Sequence, residues 1–490
     1  MDFSTQHFIA LLPILILGIG LTLVMLAIAG RRHHGLTYLL SLATLGASLV
    51  SVVAVAGGEP VEFTALIRLD GFAYFYMGLL LISSLACATL AHAYLGEREG
   101  SGYPGNREEL YLLMLLATLG GMALVCAQHL AALFIALELL SVPVYGLVAY
   151  AFFSKRSLEA GIKYMVLSAA GSAFLLMGMA LLYAESGSLA FSALGQTTSS
   201  GTVNVLAQLG VGMMLVGLAF KLSLVPFHLW TPDVYEGAPA PIAAFLATAA
   251  KVAVFAVLLR LYQLSPATAG GWLETVLSTI AIASILIGNL SALMQTNLKR
   301  LLGYSSIAHF GYLVIALVAS KGLAEEAVGV YLATYVLTSL GAFGVVSLMS
   351  SPYSGRDADA LYQFRGLFWR RPYLTAVLTL MMLSLAGIPL TAGFIGKFYL
   401  ITVGVQAELW WLVGALVLGS AIGVFYYLRV MVTLYMVEPN MTRHDAPFNW
   451  GQRAGGVMLV MVALLTFFFG VYPQPLLQLV QRAALAAVVP

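Results

Sequence analysis

The sequence predicts an all-α, polytopic membrane protein with about fourteen transmembrane helices. Of its 490 residues, 61% are hydrophobic and only 9% are charged, with a mean hydropathy of +0.95. Soluble domains carry about 25% charged residues, so a water-soluble fold has nowhere to hide this much apolar surface. The apolar residues come in runs of roughly twenty, the length that crosses a hydrocarbon core of about 30 Å as a helix. Strand-like alternation is absent, and only helices or closed barrels satisfy their own backbone in lipid, so helices are expected throughout.

Taken in order, the apolar runs between polar punctuation fall at 7–29, 36–57, 71–96, 109–127, 129–152, 158–185, 205–230, 240–264, 272–295, 301–320, 325–350, 373–402, 409–437 and 454–478. The first is longer than a signal-peptide core and has no basic segment before it, so it is expected to remain as a mature helix. The longest polar connection, 351–372, is too short to fold alone.

Loop cations test the count, because cytoplasmic loops are enriched in lysine and arginine. One set of alternate loops holds Arg31, Arg32, Arg98, Arg107, Lys155, Arg156, Lys299, Arg300, Arg356, Arg365, Arg370, Arg371, Arg443 and Arg453, fourteen of the 23. The other set keeps Arg68, Arg260, Lys321 and Arg482. A miscounted helix would scramble this bias, so both termini are expected on the outer side, periplasmic in a bacterium.

Several function classes drop out. The net charge is +2 with no basic block, which disfavours nucleic acid as a partner. Cys87 and Cys126 sit in apolar runs with no CxxC or Cys/His spacing, against iron–sulfur, zinc and disulfide readings.

Two spans look broken. Proline removes a backbone donor and clashes with the preceding turn. Pro226 interrupts LSLVPFHLW in the seventh span, and Gly387 with Pro389 interrupts SLAGIPLTAGF in the twelfth. Five spans apart, these cross in opposite directions, the usual pointer to an inverted repeat with a site near the midplane. Pro143, in LLSVPVYG, marks a possible third kink in the fifth.

Five cations remain inside spans: Lys163, Lys221, Lys251, Lys397 and Arg429. Glu138, in FIALELLSV, lies about nine residues along the fifth span, near 14 Å deep at 1.5 Å per residue, and Lys221, in GLAFKLSLV, lies at a similar depth. Such intramembrane charges face the bundle interior, pair with one another and mark ion pathways; a structural ion pair is the competing reading. Lys251, in LATAAKVAVF, has no carboxylate nearby in sequence and cannot readily snorkel. A buried lysine titrates within reach of neutral pH, as a proton relay requires and an arginine cannot supply; sealing a polar pocket is its alternative. Lys397, in GFIGKFYLI, stands past the second break, where snorkelling competes with a place at the outward end of the line. Lys163 sits four residues after Glu159, so a helix-surface pair competes with function. Arg429 reads as an interface anchor. His228 follows Pro226, and His309 lies in YSSIAHFGY with Ser305, Ser306 and Tyr304 as water-holding neighbours; imidazole relays protons near neutral pH, although a lone histidine is more often simply hydrogen-bonded in place. Lysines favour protons over sodium, since an ammonium cannot coordinate a cation and no cluster of intramembrane carboxylates is visible.

The text KLSLVPFHLWTPDVYEGAPAPIAAFLATAAK, 221–251, resembles the signature of the antiporter-like membrane subunits of respiratory complex I, the NADH-quinone oxidoreductases. LAGIPLTAGFIGKFY at 385–399, LEAGIKY at 158–164 and NLKRLLGYSSIAHFGY at 297–312 are similar to family sequence as well, and the resemblance runs over nearly the whole chain. It implies two inverted five-helix repeats, 109–264 and 272–437, preceded by three helices in 1–108 and followed by one in 454–490, the arrangement of the bacterial form. Lysine at 397, where one branch of the family has glutamate, and a chain stopping at Pro490 without a long lateral helix narrow the branch. Also implied are Glu138 paired with Lys221, Lys251 as central relay and Lys397 on the exit side. The chain would then translocate protons as part of an enzyme whose flavin, iron–sulfur clusters, NADH and quinone belong to other subunits. It would bind no cofactor itself, and its partners would be the other membrane-arm subunits and the lipid of a bacterial inner membrane. A subunit of a multisubunit cation/proton antiporter and a stand-alone secondary transporter remain as alternatives.

Overall fold

The computed structural model describes residues 5–96, 106–194, 205–264, 271–319, 323–350, 357–437 and 454–483. Arg98, Lys321, Arg356, Arg443 and Arg453, counted above among loop cations, lie outside the described residues.

A short helix α1 (Thr5–Ala10) leads into α2 (Leu12–Gly30) and α3 (His34–Val55), followed by a small antiparallel hairpin of β1 (Val61–Phe63) and β2 (Ile67–Leu69). The hairpin corrects the expectation of no strands; its three-residue strands lie between membrane helices and are too short to show alternation. Next come α4 (Gly71–Leu95), α5 (Glu109–Cys126), α6 (Leu130–Val148), α7 (Lys155–Ser186), α8 (Val205–Leu222) and the short α9 (Trp230–Gly237). The series continues with α10 (Ala240–Leu264), α11 (Trp272–Leu293), α12 (Leu298–Ala319), α13 (Ala324–Met349), α14 (Pro372–Ala386), α15 (Ala392–Gln406), α16 (Trp410–Tyr435), α17 (Ala454–Val471) and α18 (Gln474–Ala483).

Among the described residues, 13 helices are long and apolar enough to cross a membrane. The half-helices α14 and α15 have 15 residues each, about 22 Å, too short singly but in series a further crossing. Pro143 does not end α6, which runs on to Val148. The final span is shorter than expected: α17 stops at Val471, and α18 is amphipathic, with Leu476, Val480 and Ala483 turned inward, so it lies along the surface rather than across it.

Both breaks form where the sequence placed them. α8 stops at Leu222, Ser223 takes a left-handed backbone (φ 63°), and the chain turns through Pro226 before α9. α14 stops at Gly387, itself left-handed (φ 83°), and α15 begins after Pro389 and a left-handed Leu390. Non-helical backbone at membrane depth needs replacement partners. In the first break Ser284 of α11 accepts the Val225 N–H at 2.9 Å, and the Trp230 indole donates to the Phe220 carbonyl at 3.0 Å. In the second, Ser384 accepts the Gly393 N–H at 3.0 Å.

The interior is built on α10, α12 and α13, whose apolar windows are 94%, 94% and 89% buried, against 28% for the outlying α2 and α17. α10 carries one π-helical turn, Leu246–Ala250, that ends at Lys251. Two cations assigned above to loops are buried, each near the end of a helix. Arg260 of α10 is fully buried and bidentate on Asp70, at 2.9 and 2.7 Å, with its guanidinium 4.7 Å from the Phe72 ring centre. Lys299 of α12 is also buried, donating to Asp357 at 2.7 Å and to the Ala238 carbonyl at 2.6 Å. Local sequence cannot show either partner, because Asp70 and Asp357 are far from their cations along the chain.

Candidate functional site

Apart from the Arg260–Asp70 and Lys299–Asp357 pairs, the titratable groups at mid-depth fall in two clusters around the two broken crossings. In the first, Glu138 and Ser141 project from α6 one turn apart, Ser168 and Ser172 from α7 one turn apart, and Lys221 reaches between them from the last turn of α8. Helices α7 and α8 approach closely enough for this because glycines face each other: a Cβ on Gly217 would lie 2.8 Å from the Gly171 carbonyl oxygen.

The direct Glu138–Lys221 pair implied by the family resemblance is not formed. Lys221 Nζ donates to Ser141 Oγ and Ser168 Oγ, each at 2.6 Å, while Glu138 Oε1 accepts from Ser172 Oγ at 2.5 Å. Serine hydroxyls take the hydrogen bonds a direct contact would make. Glu138 is only half-buried, on the same face of α6 as the exposed Ile135 and Val142, whereas Lys221 is buried. Tyr145, also on α6, shares a 2.8 Å hydrogen bond with Ser168.

In the second cluster Lys251 is 1% exposed, meets no carboxylate, and donates to Ser306 Oγ at 2.9 Å; the Tyr335 hydroxyl donates to the same oxygen at 2.8 Å. The Phe310 ring centre lies 5.0 Å from the ammonium, a cation–π contact that offsets part of the lost hydration. One turn along α12 from Ser306, His309 is held at both nitrogens, by Tyr331 Oη at 2.6 Å and Tyr427 Oη at 3.1 Å. Tyr427 makes a short hydrogen bond to Ser305. Lys397 is buried, not snorkelled: its Nζ donates at 3.0 Å to the Ala386 carbonyl freed by the break in α14. Its aliphatic stem lies against Gly387, where a Cβ would come within 2.8 Å of Lys397 Cδ.

His228 joins neither cluster. It is buried in the turn between α8 and α9, and no side-chain hydrogen bond among the described residues links it to Lys221 or Lys251. Lys163 is half-exposed at the cation-rich end, paired with Glu159 at 2.6 Å, as the spacing of four suggested, and with Asp233 of α9 at 3.0 Å. With Arg156, Glu159, Asp233 and Glu236 it lines a polar cavity of about 250 Å³. Arg300 of α12 closes the cluster, 2.6 Å from Asp233 and 2.9 Å from Glu236. Burial pushes the Asp233 carboxyl up, but the hydrogen bonds from Arg300 and Lys163 outweigh it and hold the group below the usual carboxylate range. Arg429, read as an anchor, caps a helix end: its guanidinium donates to the Leu293 and Gln295 carbonyls at 2.8 and 2.6 Å.

Sequence reasoning missed the hydroxyl groups that hold these titratable side chains: Ser141, Ser168, Ser172, Tyr145, Tyr331, Tyr335 and Tyr427. Serines at 168 and 172 and tyrosines at 331 and 335, four apart on apolar helices, were the available signal. Ser305 and Ser306 were singled out and are bonded here; Tyr304 lies outside the network. Among the described residues no three His, Cys, Asp or Glu side chains gather as a metal would require.

Residues 127–423 match the family described as NADH:quinone oxidoreductase/Mrp antiporter, transmembrane. Over 486 residues, 99% of this chain and 98% of the relative, the sequence is 73% identical to NADH-quinone oxidoreductase subunit N of Ectopseudomonas mendocina. Among solved structures it is similar to a chain of respiratory complex I from Thermus thermophilus, at 32% identity and TM-score 0.80, covering 95% of this chain and 98% of that one. A chain of the Mrp complex from Dietzia shares the fold at TM-score 0.84, covering 98% of this chain and 97% of that one, at only 21% identity.

Proposed function

The chain belongs to the NADH:quinone oxidoreductase/Mrp antiporter family of membrane subunits, and from that premise we propose that it is a proton-translocating subunit of a respiratory NADH-quinone oxidoreductase. The observation that carries the reading is the row of hydrogen-bonded titratable groups, the half-buried Glu138 and the buried Lys221, Lys251, His309 and Lys397, running through both broken crossings. Groups that cost this much to bury persist in membranes where ions or protons pass. Lysine suits protons: a desolvated amine titrates within reach of neutral pH, and an ammonium cannot ligate sodium.

Residues 109–264 and 272–437 are read as the two inverted repeats, each supplying one broken crossing, with 1–108 and 454–490 flanking them. Lys221 is the charged group of the first repeat, Lys251 the link, and Lys397 the group nearest the outer side. Lys163 serves the cytoplasmic mouth, and His228 has the weakest claim to a role. Other membrane-arm subunits are the partners, and electron transfer from NADH to quinone occurs in them, so this chain works without a redox cofactor. The half-exposed Glu138 supports contact with a neighbouring subunit, since a carboxylate facing acyl chains at mid-membrane would be costly. The loop bias supports a bacterial inner-membrane protein with both termini periplasmic. Terminal reporter fusions are expected to report the periplasm, and activity only in the cytoplasm would overturn that orientation.

Lys251→Ala tests the function. The variant complex is expected to assemble, because Lys251 forms no ion pair, and to move fewer protons per quinone reduced in sealed vesicles. An unmodified ratio would make Lys251 structural. The antiporter alternative has less support: the matched family covers both kinds of subunit, but the Mrp chain shares only the fold, at 21% identity. Co-purification with other oxidoreductase subunits separates the two.

A further inference from the structure

Serines in apolar helices usually turn their hydroxyl proton back to the carbonyl four residues earlier. Ser41, Ser84 and Ser141 do so here, Ser141 to Leu137 at 2.6 Å. Ser141 can therefore only accept from Lys221; its proton is already committed. Ser168 makes no such bond to its own helix. Its hydrogen bonds are to Lys221 Nζ at 2.6 Å and to Tyr145 Oη at 2.8 Å. A hydroxyl both donates and accepts, so Ser168 serves the ammonium and the neutral amine equally well. A carboxylate in its place would hold Lys221 in the charged form. Ser168 is also not needed to fasten α7 to α8: Gly178 packs within Cβ reach of the Gly210 carbonyl, and Gly171 against the Phe220 ring.

Resting on the reading of Lys221 as a proton carrier, we infer that Ser168, with Tyr145 beyond it, is the hydroxyl pair through which the Lys221 amine gains and loses its proton. Ser141 only holds the ammonium. Tyr145 lies seven residues past Glu138 on α6, about 10 Å nearer the cation-rich end. On loading, a hydronium ion at that end gives a proton to Tyr145 Oη and is left as water, the Tyr145 proton passes to Ser168 Oγ, and the Ser168 proton passes to the lone pair of Lys221 Nζ. Each oxygen breaks one O–H bond as it forms another, so both hydroxyls end neutral and Lys221 ends as the ammonium. Unloading runs the same transfers in reverse. No side chain other than Lys221 ends with a changed protonation.

The test uses the assembled complex in sealed membrane vesicles, with quinone reduction and proton uptake measured together. Ser168→Ala is expected to slow proton-coupled turnover roughly tenfold or more, since positioned proton-transfer groups are worth about 10²–10⁴ and water can replace only part of that. Ser168→Thr, which keeps the hydroxyl, should restore most of the rate. Tyr145→Phe should slow turnover in the same way, and the double variant should be no slower than the slower single, because both groups act in one route. Tyr145→Phe keeps the ring and its packing, so it decides the matter if Ser168→Ala does not assemble. Unmodified turnover in Ser168→Ala and Tyr145→Phe, or multiplying effects in the double variant, would overturn the inference. Lys221→Ala is the control. If it is impaired while the hydroxyl variants are not, the function stands and this route falls. If Lys221→Ala itself pumps at the unmodified ratio, the site reading fails and takes the route with it.

Discussion

At the scale of single residues, what matters about the buried cations is what faces them. Lys221 and Lys251 point at hydroxyls, and Lys397 points at a backbone carbonyl. A carbonyl oxygen only accepts, so at Lys397 it takes an N–H from the amine in either form. Serine oxygens, not carboxylates, are the hydrogen-bond partners of the other two lysines, and the Glu138 carboxylate acts on Lys221 only through space. Lys221→Arg is therefore expected to fail even if it assembles: the guanidinium holds its proton at any physiological pH, and its planar fork does not fit between two serines placed for a compact ammonium. Glu138→Gln makes a complementary case. Because Glu138 does not touch Lys221, its removal strips no hydrogen bond from the lysine, so the variant should assemble at normal levels while pumping falls. Loss of assembly in Glu138→Gln would show that the carboxylate holds the cluster together.

At the scale of elements, the two broken crossings are the devices that put cations at mid-depth, and their positions were legible because proline and glycine act locally. Pro226, Gly387 and Pro389 interrupt otherwise continuous apolar runs, and the helices stop within a few residues of them. The π turn before Lys251 was not legible. LATAA contains nothing that breaks a helix, and the turn depends on packing among helices distant in sequence. For the same reason the tyrosines around His309 were missed: Tyr331, Tyr335 and Tyr427 converge only once α12, α13 and α16 are packed. Gly387 is where local geometry and chemistry meet, since its left-handed backbone ends α14 and its missing Cβ leaves room for Lys397. Gly387→Ala should strain the backbone by about 1–2 kcal/mol and also displace the lysine stem. It should therefore lower both thermal stability and proton transfer, whereas Gly46→Ala, in open space on α3, should change neither. Normal pumping in Gly387→Ala would mean that the position of Lys397 is less constrained than the contact suggests.

At the scale of the whole molecule, membrane burial hides the partner of every charge from a reader of sequence. Loop counting placed Arg260 and Lys299 at the surface because each lies near a span end; the fold buries both and matches each with an aspartate from a distant segment. The first pair ties the core to its N-terminal flank, and the second ties α12 to the segment after α13. Arg260 joins α10 to the start of α4, where Asp70 also caps the helix by accepting the Ala73 N–H at 2.9 Å. Removing one member of a buried pair leaves an uncompensated charge, at about 3–5 kcal/mol. The two removals differ here. After Arg260→Met, Asp70 keeps its bond to Ala73 and has Arg68 at 3.4 Å, so part of its charge remains answered. After Asp70→Leu, the guanidinium of Arg260, fully buried and unable to shed its proton, retains the Phe72 ring but loses its carboxylate. Thermal unfolding of the purified subunit should therefore show Asp70→Leu as the more destabilising change. The double variant should cost less than the two singles summed, because no orphan charge remains. If Arg260→Met proves the worse of the two, Arg68 does not compensate Asp70, and the latch depends on the arginine's packing against Phe72 rather than on its charge.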